Sequence, residues 1–380
     1  MNKILALNPF HGGSHRAFLN GWMKRSWHQF SVNTLSAHHW KWRMRHSAFH
    51  FADAFSDEFK TSDKALDYDV LFCTDMLNLA EFRGLAPPAI RNLPAILYFH
   101  ENQLTYPVQE ERERDLHFAY TNFVSAYSAE SIWFNSEYHR DEFLTALEEW
   151  LPKMPDANSI KATVASLWEK SDVHHPGVDT PPSPPVSRSE RNVPLQLLWV
   201  SRWEHDKGPE IFFESLRLLQ QSGVPFRVSI LGESYEQAPT VFEEAKRTFP
   251  NEILHWGYLE NYAEYQKTLS EADVVLSTAR HEFFGIAILE AVAAGCRPLV
   301  PRALAYPEVL PEEESFFHHN DPAKIAEFLG SYAANLNANR VRDDVMRERW
   351  YQLVSQYGWN QGVPRMDAAV DRVVSEWNQG

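Results

Sequence analysis

The feature that most constrains this chain is an alternation. Short apolar runs end in polar or glycine-bearing turns, and each is followed by a segment that reads as helix. Lys3-Ile4-Leu5-Ala6-Leu7-Asn8, Asp69 to Met76, Pro94 to Phe99, Ser131 to Asn135 and His174 to Asp179 read as strands of a first series, with helices from about Ser14, through Tyr120 to Tyr127, and from Ser136. A second series begins at Pro194 to Val200 and continues at Phe226 to Glu233, Ile253 to Leu259 and Asp273 to Thr278. Runs without a polar face are strands buried on both sides, and parallel strands need helical crossovers, so the class is α/β with covered sheets.

Two such series in 380 residues exceed one core, and two domains are expected. Between them lies Thr180-Pro181-Pro182-Ser183-Pro184-Pro185-Val186-Ser187-Arg188-Ser189-Glu190-Arg191, stiff and polar like a linker. The predicted division is residues 1–179, a linker at 180–193, a second domain at 194–357 and a C-terminal helical segment at 358–380. No apolar run approaches the ~18 residues that cross a bilayer. The start, Met1-Asn2-Lys3-Ile4-Leu5, goes directly into a strand instead of a signal peptide, so a soluble, cytoplasmic protein without a membrane partner is expected. Cys73 and Cys296 each sit in an apolar run and read as reduced core residues.

Charge is unevenly distributed. The first 52 residues hold seven basic and no acidic side chains, +7 against −15 for the whole chain, so the remainder carries −22. Such asymmetry points to an anionic partner. Within that region Trp40, Lys41, Trp42, Arg43 and Arg45 interleave rings with cations, a composition suited to RNA, where cations meet phosphates and rings stack on unpaired bases. The alternative is an amphipathic segment with its tryptophans packed inward and its arginines solvated. The neighbouring His38-His39 pair is not a ligand spacing that suggests metal.

The chemistry concentrates at Asp273 to Gly295. An apolar strand leads through His281-Glu282-Phe283-Phe284-Gly285-Ile286 into a helix that Gly295 can end. The amides of the first helical turn lack intrahelical partners and lie at the positive end of the dipole, so they suit an anion or a ring of hydroxyls. Glu282 and Glu290 bracket them, on the order of 10 Å apart along the axis, roughly the span of a nucleotide sugar. Upstream, Arg202 and Lys207 follow the strand at Pro194 to Val200, and fixed cations there could stabilise a leaving diphosphate without a metal. Gly12 and Gly13 follow the first strand, where a backbone can approach a phosphate or simply turn. His100 ends the Pro94 to Phe99 strand, where ligands of open α/β sheets gather.

The Glu282 to Glu290 spacing resembles the E-x7-E signature of retaining family 4 glycosyltransferases of GT-B fold, two Rossmann-like doubly wound domains facing a cleft. That resemblance implies that Glu282 meets the donor hexose, that Phe283, Phe284, Gly285 and Ile286 supply amides, and that Glu290 meets the ribose. Phe283 stands where glycine is usual, which should narrow the sugar pocket or alter its acceptor side. By the same resemblance Arg202 and Lys207 hold the donor phosphates, Gly12 and Gly13 face the diphosphate, His100 lies near the sugar, and Gly257 and Tyr258 meet the base. Gly232, at the end of the Phe226 to Glu233 strand, joins them as a donor-side residue. Ala303-Leu304-Ala305-Tyr306-Pro307-Glu308 departs from the usual glycine-rich loop, and Trp359 to Trp377 would cross back to the N-terminal domain.

Longer runs carry a more specific resemblance, to tRNA-queuosine α-mannosyltransferases. They are Phe10 to His15, Trp40 to Ser47, Tyr98 to Leu104, Arg202 to Lys207 and His281 to Gly285. This resemblance implies transfer of mannose from GDP-mannose, as substrate, to queuosine in tRNA with retention, and no metal or other cofactor. His100, Arg202, Lys207 and Glu282 are then the catalytic candidates. A family 4 transferase with a lipid, glycan or small-molecule acceptor is the alternative, and a non-catalytic RNA-binding GT-B module is another.

Overall fold

The structure, a computed structural model, describes residues 1–61, 67–107, 114–155, 160–181, 193–234, 239–312 and 316–380. Most of the expected linker therefore lies outside the described residues. The chain forms two compact units, Met1–Gly177 with Trp359–Gly380, and Val178–Gly358.

In the first unit β1 (Lys3–His11), β2 (Gln29–Ser36), β3 (Val70–Thr74), β4 (Ala95–Phe99), β5 (Ser131–Phe134) and β6 (Ser171–Val173) form one sheet of order β2-β1-β3-β4-β5-β6, with every pairing parallel. Strand periodicity sends Leu5, Leu7, Leu71, Cys73 and Leu97 to one core layer. It sends Ile4, Ala6, Phe72, Ile96 and Tyr98 to the other, where the C-terminal helix Trp359–Gln379 lays Val363, Met366 and Val370. β1 continues three residues beyond its expected end, with Pro9 accommodated inside a register shift between Asn8 and His11. The last strand is shorter and earlier than expected. β6 stops at Val173, and His174 to Asp179 adds only an isolated bridge from Val178 to Gly358, because Pro176 has no N–H to extend the ladder.

In the second unit β7 (Leu195–Val200), β8 (Phe226–Leu231), β9 (Ile253–Gly257), β10 (Val274–Leu276), β11 (Arg297–Pro301) and β12 (Phe317–His318) are parallel in the order β12-β11-β10-β7-β8-β9. Two buried ion pairs fasten the helix Leu336–Ser355 to this sheet. Arg340 reaches both oxygens of Asp273 at 2.9 and 2.8 Å, and Asp343 takes Arg297 at 2.7 Å and the Tyr332 hydroxyl at 2.7 Å. Burying these charges is tolerable because each is paired and hydrogen-bonded. Both cysteines are buried and neither is in a disulfide among the described residues.

Candidate active site

In open parallel sheets the ligand crevice lies beyond the carboxyl ends of the strands where strand order reverses. In the second unit that point is between β7 and β10. The chain leaving β7 passes Arg202 and enters a 3-10 turn, His205–Lys207, closed by Gly208 at φ 62. A Cβ on Gly208 would stand 2.2 Å from the Thr278 carbonyl oxygen, so only glycine lets the turn press on the end of β10. The Thr278 hydroxyl completes the clasp by donating to the carbonyls of Lys207 at 3.2 Å and Gly208 at 2.9 Å.

This clasp buries Lys207 and sets its ammonium 2.8 Å from the His281 carbonyl, 3.1 Å from Asp206 Oδ2 and 3.4 Å from Glu282 Oε2. Burial works against that charge, but the Glu282 and Asp206 carboxylates outweigh it and hold the Lys207 pKa above its ordinary value. For Asp206, burial is likewise overcome by Lys207 and Arg202, and its pKa falls. Arg202 is half-exposed, 3.2 Å from Glu204. His281 is pushed down to about 4, chiefly by burial and then by Lys207, so it stays neutral beside the cations. The cluster presents one locked ammonium, one accessible guanidinium and one partly exposed carboxylate, Glu282.

Gly285 caps the helix Ile286–Ala293 at φ 88, and a Cβ there would come within 3.0 Å of the Tyr306 ring. Tyr306 is itself fixed by a 2.7 Å hydrogen bond with the Ser277 hydroxyl, and the Ala305 amide donates to the Glu282 carbonyl at 3.3 Å. The loop lacking glycine thus still packs under Glu282. Leu304 carries a left-handed φ of 63 there, a conformation glycine would take without strain. Phe283 and Phe284 are both buried, Phe283 edge-on to His281 at 4.3 Å and Phe284 against Tyr357 at 5.6 Å. Ile286 opens the helix, and one turn on Glu290 accepts from the Tyr265 hydroxyl at 2.7 Å. Burial pushes the Glu290 carboxyl up to about 7 against the pull of that hydrogen bond. Gly232 packs on the exit of β7, where a Cβ would meet the Ser201 carbonyl oxygen at 1.8 Å. Gly257, at φ 104, faces open space, and Tyr258 beside it is exposed.

The first unit has its own reversal, between β1 and β3. Gly12 there approaches Ala37 so closely that a Cβ would stand 2.4 Å from the Ala37 Cβ, and Gly13 turns at φ 48 into the helix Gly13–Met23 with open space around it. His100, past the end of β4, has its amide on Asp75 Oδ1 at 2.9 Å and its ring on His15 at 3.9 Å between centroids. Burial, then His15 and His139, keeps His100 well below the ordinary histidine pKa, hence neutral. Its buried Nε2 has no hydrogen-bond partner among the described residues. Asp75 is driven well above the carboxylate range by burial and by Glu101.

The basic, aromatic stretch becomes the first turns of the helix Trp40–Thr61 and divides between the two readings. Trp40 packs on Phe118 at 5.2 Å, and Arg43 bonds the Ser36 carbonyl and hydroxyl at 3.0 and 2.8 Å. Lys41, Trp42 and Arg45 are exposed. Sequence reasoning missed Asp206, Thr278, Tyr265 and Tyr306 as builders of the second unit's site. Asp206 was signalled by its place beside Lys207, whereas nothing local to Tyr265 marks it as a partner of Glu290.

Among the described residues no group of three His, Cys, Asp or Glu side chains stands arranged to hold a metal ion, and no helix is long and apolar enough to cross a membrane. A family model described as tRNA-queuosine alpha-mannosyltransferase N-terminal matches residues 3–178, and one described as Glycosyl transferases group 1 matches residues 187–340. The tRNA-queuosine alpha-mannosyltransferase of Drosophila melanogaster is 36% identical over 322 residues, spanning 82% of this chain and 83% of its own. A GDP-mannose-dependent alpha-(1-6)-phosphatidylinositol dimannoside mannosyltransferase of Mycobacterium tuberculosis is 28% identical over 152 residues, 40% of this chain and 39% of its own. Sucrose-phosphate synthase from Thermosynechococcus elongatus shares the fold with a TM-score of 0.73 at 15% identity, over 98% of this chain and 100% of that one. The Anabaena protein HepE, in complex with UDP and glucose, does so with a TM-score of 0.65 at 16% identity, over 98% and 100%. The fold is GT-B, with two parallel six-stranded sheets, as the strand alternation and the resemblance led one to expect.

Proposed function

The chain belongs to the tRNA-queuosine alpha-mannosyltransferase family, and from that premise we propose that it moves mannose from GDP-mannose to queuosine in a tRNA anticodon with retention at the anomeric carbon. It is a glycosyltransferase with a group 1 domain. The observation that carries the reading is the Lys207–Glu282 pair held by the Gly208–Thr278 clasp at the β7/β10 reversal.

Breaking the bond from mannose C1 to the donor phosphate oxygen leaves charge on the diphosphate. The Lys207 ammonium and Arg202 guanidinium supply fixed positive charge for it, where preorganised groups are worth most. Glu282 orients hexose hydroxyls, and the amides of Phe284, Gly285 and Ile286 add donors at the start of the helix Ile286–Ala293. Glu290, set by Tyr265, takes the ribose hydroxyls. The part given to His100 rests on its place past β4 and on its partnerless Nε2, a neutral group suited to a sugar hydroxyl. In a front-face displacement the acceptor oxygen bonds to C1 on the side the diphosphate leaves, and its proton passes to the leaving phosphate oxygen. With Lys207 and Arg202 in that role, turnover should persist after exhaustive chelation by EDTA. A reducing, cytoplasmic setting accords with two buried cysteines held as thiols.

The test is to incubate the protein with queuosine-bearing tRNA and a panel of nucleotide sugars, digest the RNA and weigh the nucleosides. GDP-mannose alone should add one hexose to queuosine. No gain with any donor, or transfer only to a lipid or glycan, overturns the proposal.

A further inference from the structure

The helix Trp40–Thr61 buries Met44, Ser47, Ala48, Phe51 and Phe55, yet its opposite side shows a row of rings to solvent. Trp42 is 57% and Phe49 52% exposed, with His46 between them. The Trp42 and His46 rings stack on each other, 16° from parallel with centroids 4.8 Å apart, and Phe49 follows His46 at 5.7 Å and a tilt of 35°. Positions i, i+4 and i+7 share one helical stripe, so the row is written into the sequence spacing. A single exposed ring is ordinary, but three in one row, with Trp42 and His46 already stacked, are the start of a stack that an unpaired base can extend. Lys41 and Arg45 stand beside the row, exposed, and the first 52 residues hold no acid. Trp40 and Arg43 are excluded, being engaged with Phe118 and Ser36.

We propose that the Trp42–His46–Phe49 stripe, flanked by Lys41 and Arg45, docks single-stranded RNA by stacking on unpaired bases of the tRNA loop that carries the acceptor nucleoside. This rests on the tRNA reading above and specifies where and how the acceptor is held. Charge selects the occupant. Lys41 and Arg45 put positive charge beside the rings, in a segment of +7, while the rest of the chain carries −22 and repels a polyanion. The flat rings select unpaired bases over duplex, because a stacked duplex offers no free base faces.

The full-length chain is titrated into a fluorescent, queuosine-bearing anticodon stem-loop. Trp42→Ala should weaken binding about ten-fold, the size of one lost base-on-ring stack, and Trp42→Phe should restore most of it. Lys41→Ala with Arg45→Ala should lower the slope of log affinity against log salt by about 1.4, two single-strand phosphate contacts. Because these side chains are exposed, the thermal midpoint and GDP-mannose binding should stay as in wild type. Wild-type affinity in Trp42→Ala, an equal loss toward a loopless duplex, or the same losses on anionic phospholipid vesicles in place of RNA would each overturn the proposal. If the wild-type protein adds no mannose to queuosine and binds no stem-loop at any salt, the tRNA reading itself fails first.

Discussion

At the level of single residues, the second unit's site keeps Lys207 and Asp206 charged against the burial that opposes it. Lys207 keeps its proton under burial because Glu282 and Asp206 stand within 3.4 and 3.1 Å. Removing either end of that arrangement should act on catalysis before stability. Lys207→Ala or Glu282→Ala is expected to lower turnover at least ~10²-fold, as loss of one strong transition-state contact does, while circular dichroism shows a folded chain. Near-normal turnover in both variants would dissolve the assignment. Glu290 offers a pH test. Its pKa is raised to about 7, so between about 4.5 and 7 the folded chain keeps a proton that the unfolded chain has released. Stability therefore falls as pH rises through that window, by on the order of 1–3 kcal/mol, and the loss is complete above it. Glu290→Gln removes the titration. Melts from pH 5 to 8 without nucleotide should show wild type losing ground to the variant with rising pH, and parallel curves would refute the shift.

At the level of elements, the glycines do what no side chain could. Gly208→Ala would force a Cβ against the Thr278 carbonyl at 2.2 Å and strain a left-handed φ of 62. It should cost about 1–3 kcal/mol and draw Lys207 away from Glu282, so both the thermal midpoint and kcat should drop. A variant with wild-type melting and turnover would show that the clasp does not place Lys207. Elements differed in how far the sequence disclosed them. β3, β4 and β5 are buried throughout, so their apolar runs announce them. β2 is half-exposed and polar on alternate residues, and β12 is only two residues long, so neither carries a run that stands out. Arg297 opens β11 with a charge that makes sense only once Asp343, 46 residues on, is folded against it. The same logic holds at the site. Glu282, Lys207 and Gly285 sit in local runs with recognisable spacing, but Tyr265 reaches Glu290 only through the fold. At Trp40 to Arg45 composition alone could not say which rings face out, because that depends on Phe118, which no local pattern ties to Trp40.

At the level of the whole molecule, the chain leaves the first unit at Gly177 and returns at Trp359 to complete it. The returning helix is keyed by Asp367, which accepts from the Trp22 indole at 2.7 Å, the Ser26 hydroxyl at 2.8 Å and the Trp27 amide at 2.9 Å. Trp359 is seated as closely, since a Cβ on Gly21 or Gly177 would penetrate its ring at 2.2 or 2.0 Å. The first unit's second core layer includes Val363, Met366 and Val370 beside Phe72 and Trp133, so this layer is incomplete until the last 22 residues are made. Asp367→Ala strands a buried indole donor and two further groups without their acceptor, a loss of about 3 kcal/mol. Because the damage is confined to one unit's core, amide exchange should quicken in β1, β3 and β4 while β7, β8 and β10 keep wild-type protection. Gly21→Ala should give the same pattern by displacing Trp359. Faster exchange spread equally over both sheets would mean that the two units unfold as one, and unchanged exchange in β1 and β3 would mean that the helix is not part of the first unit's core.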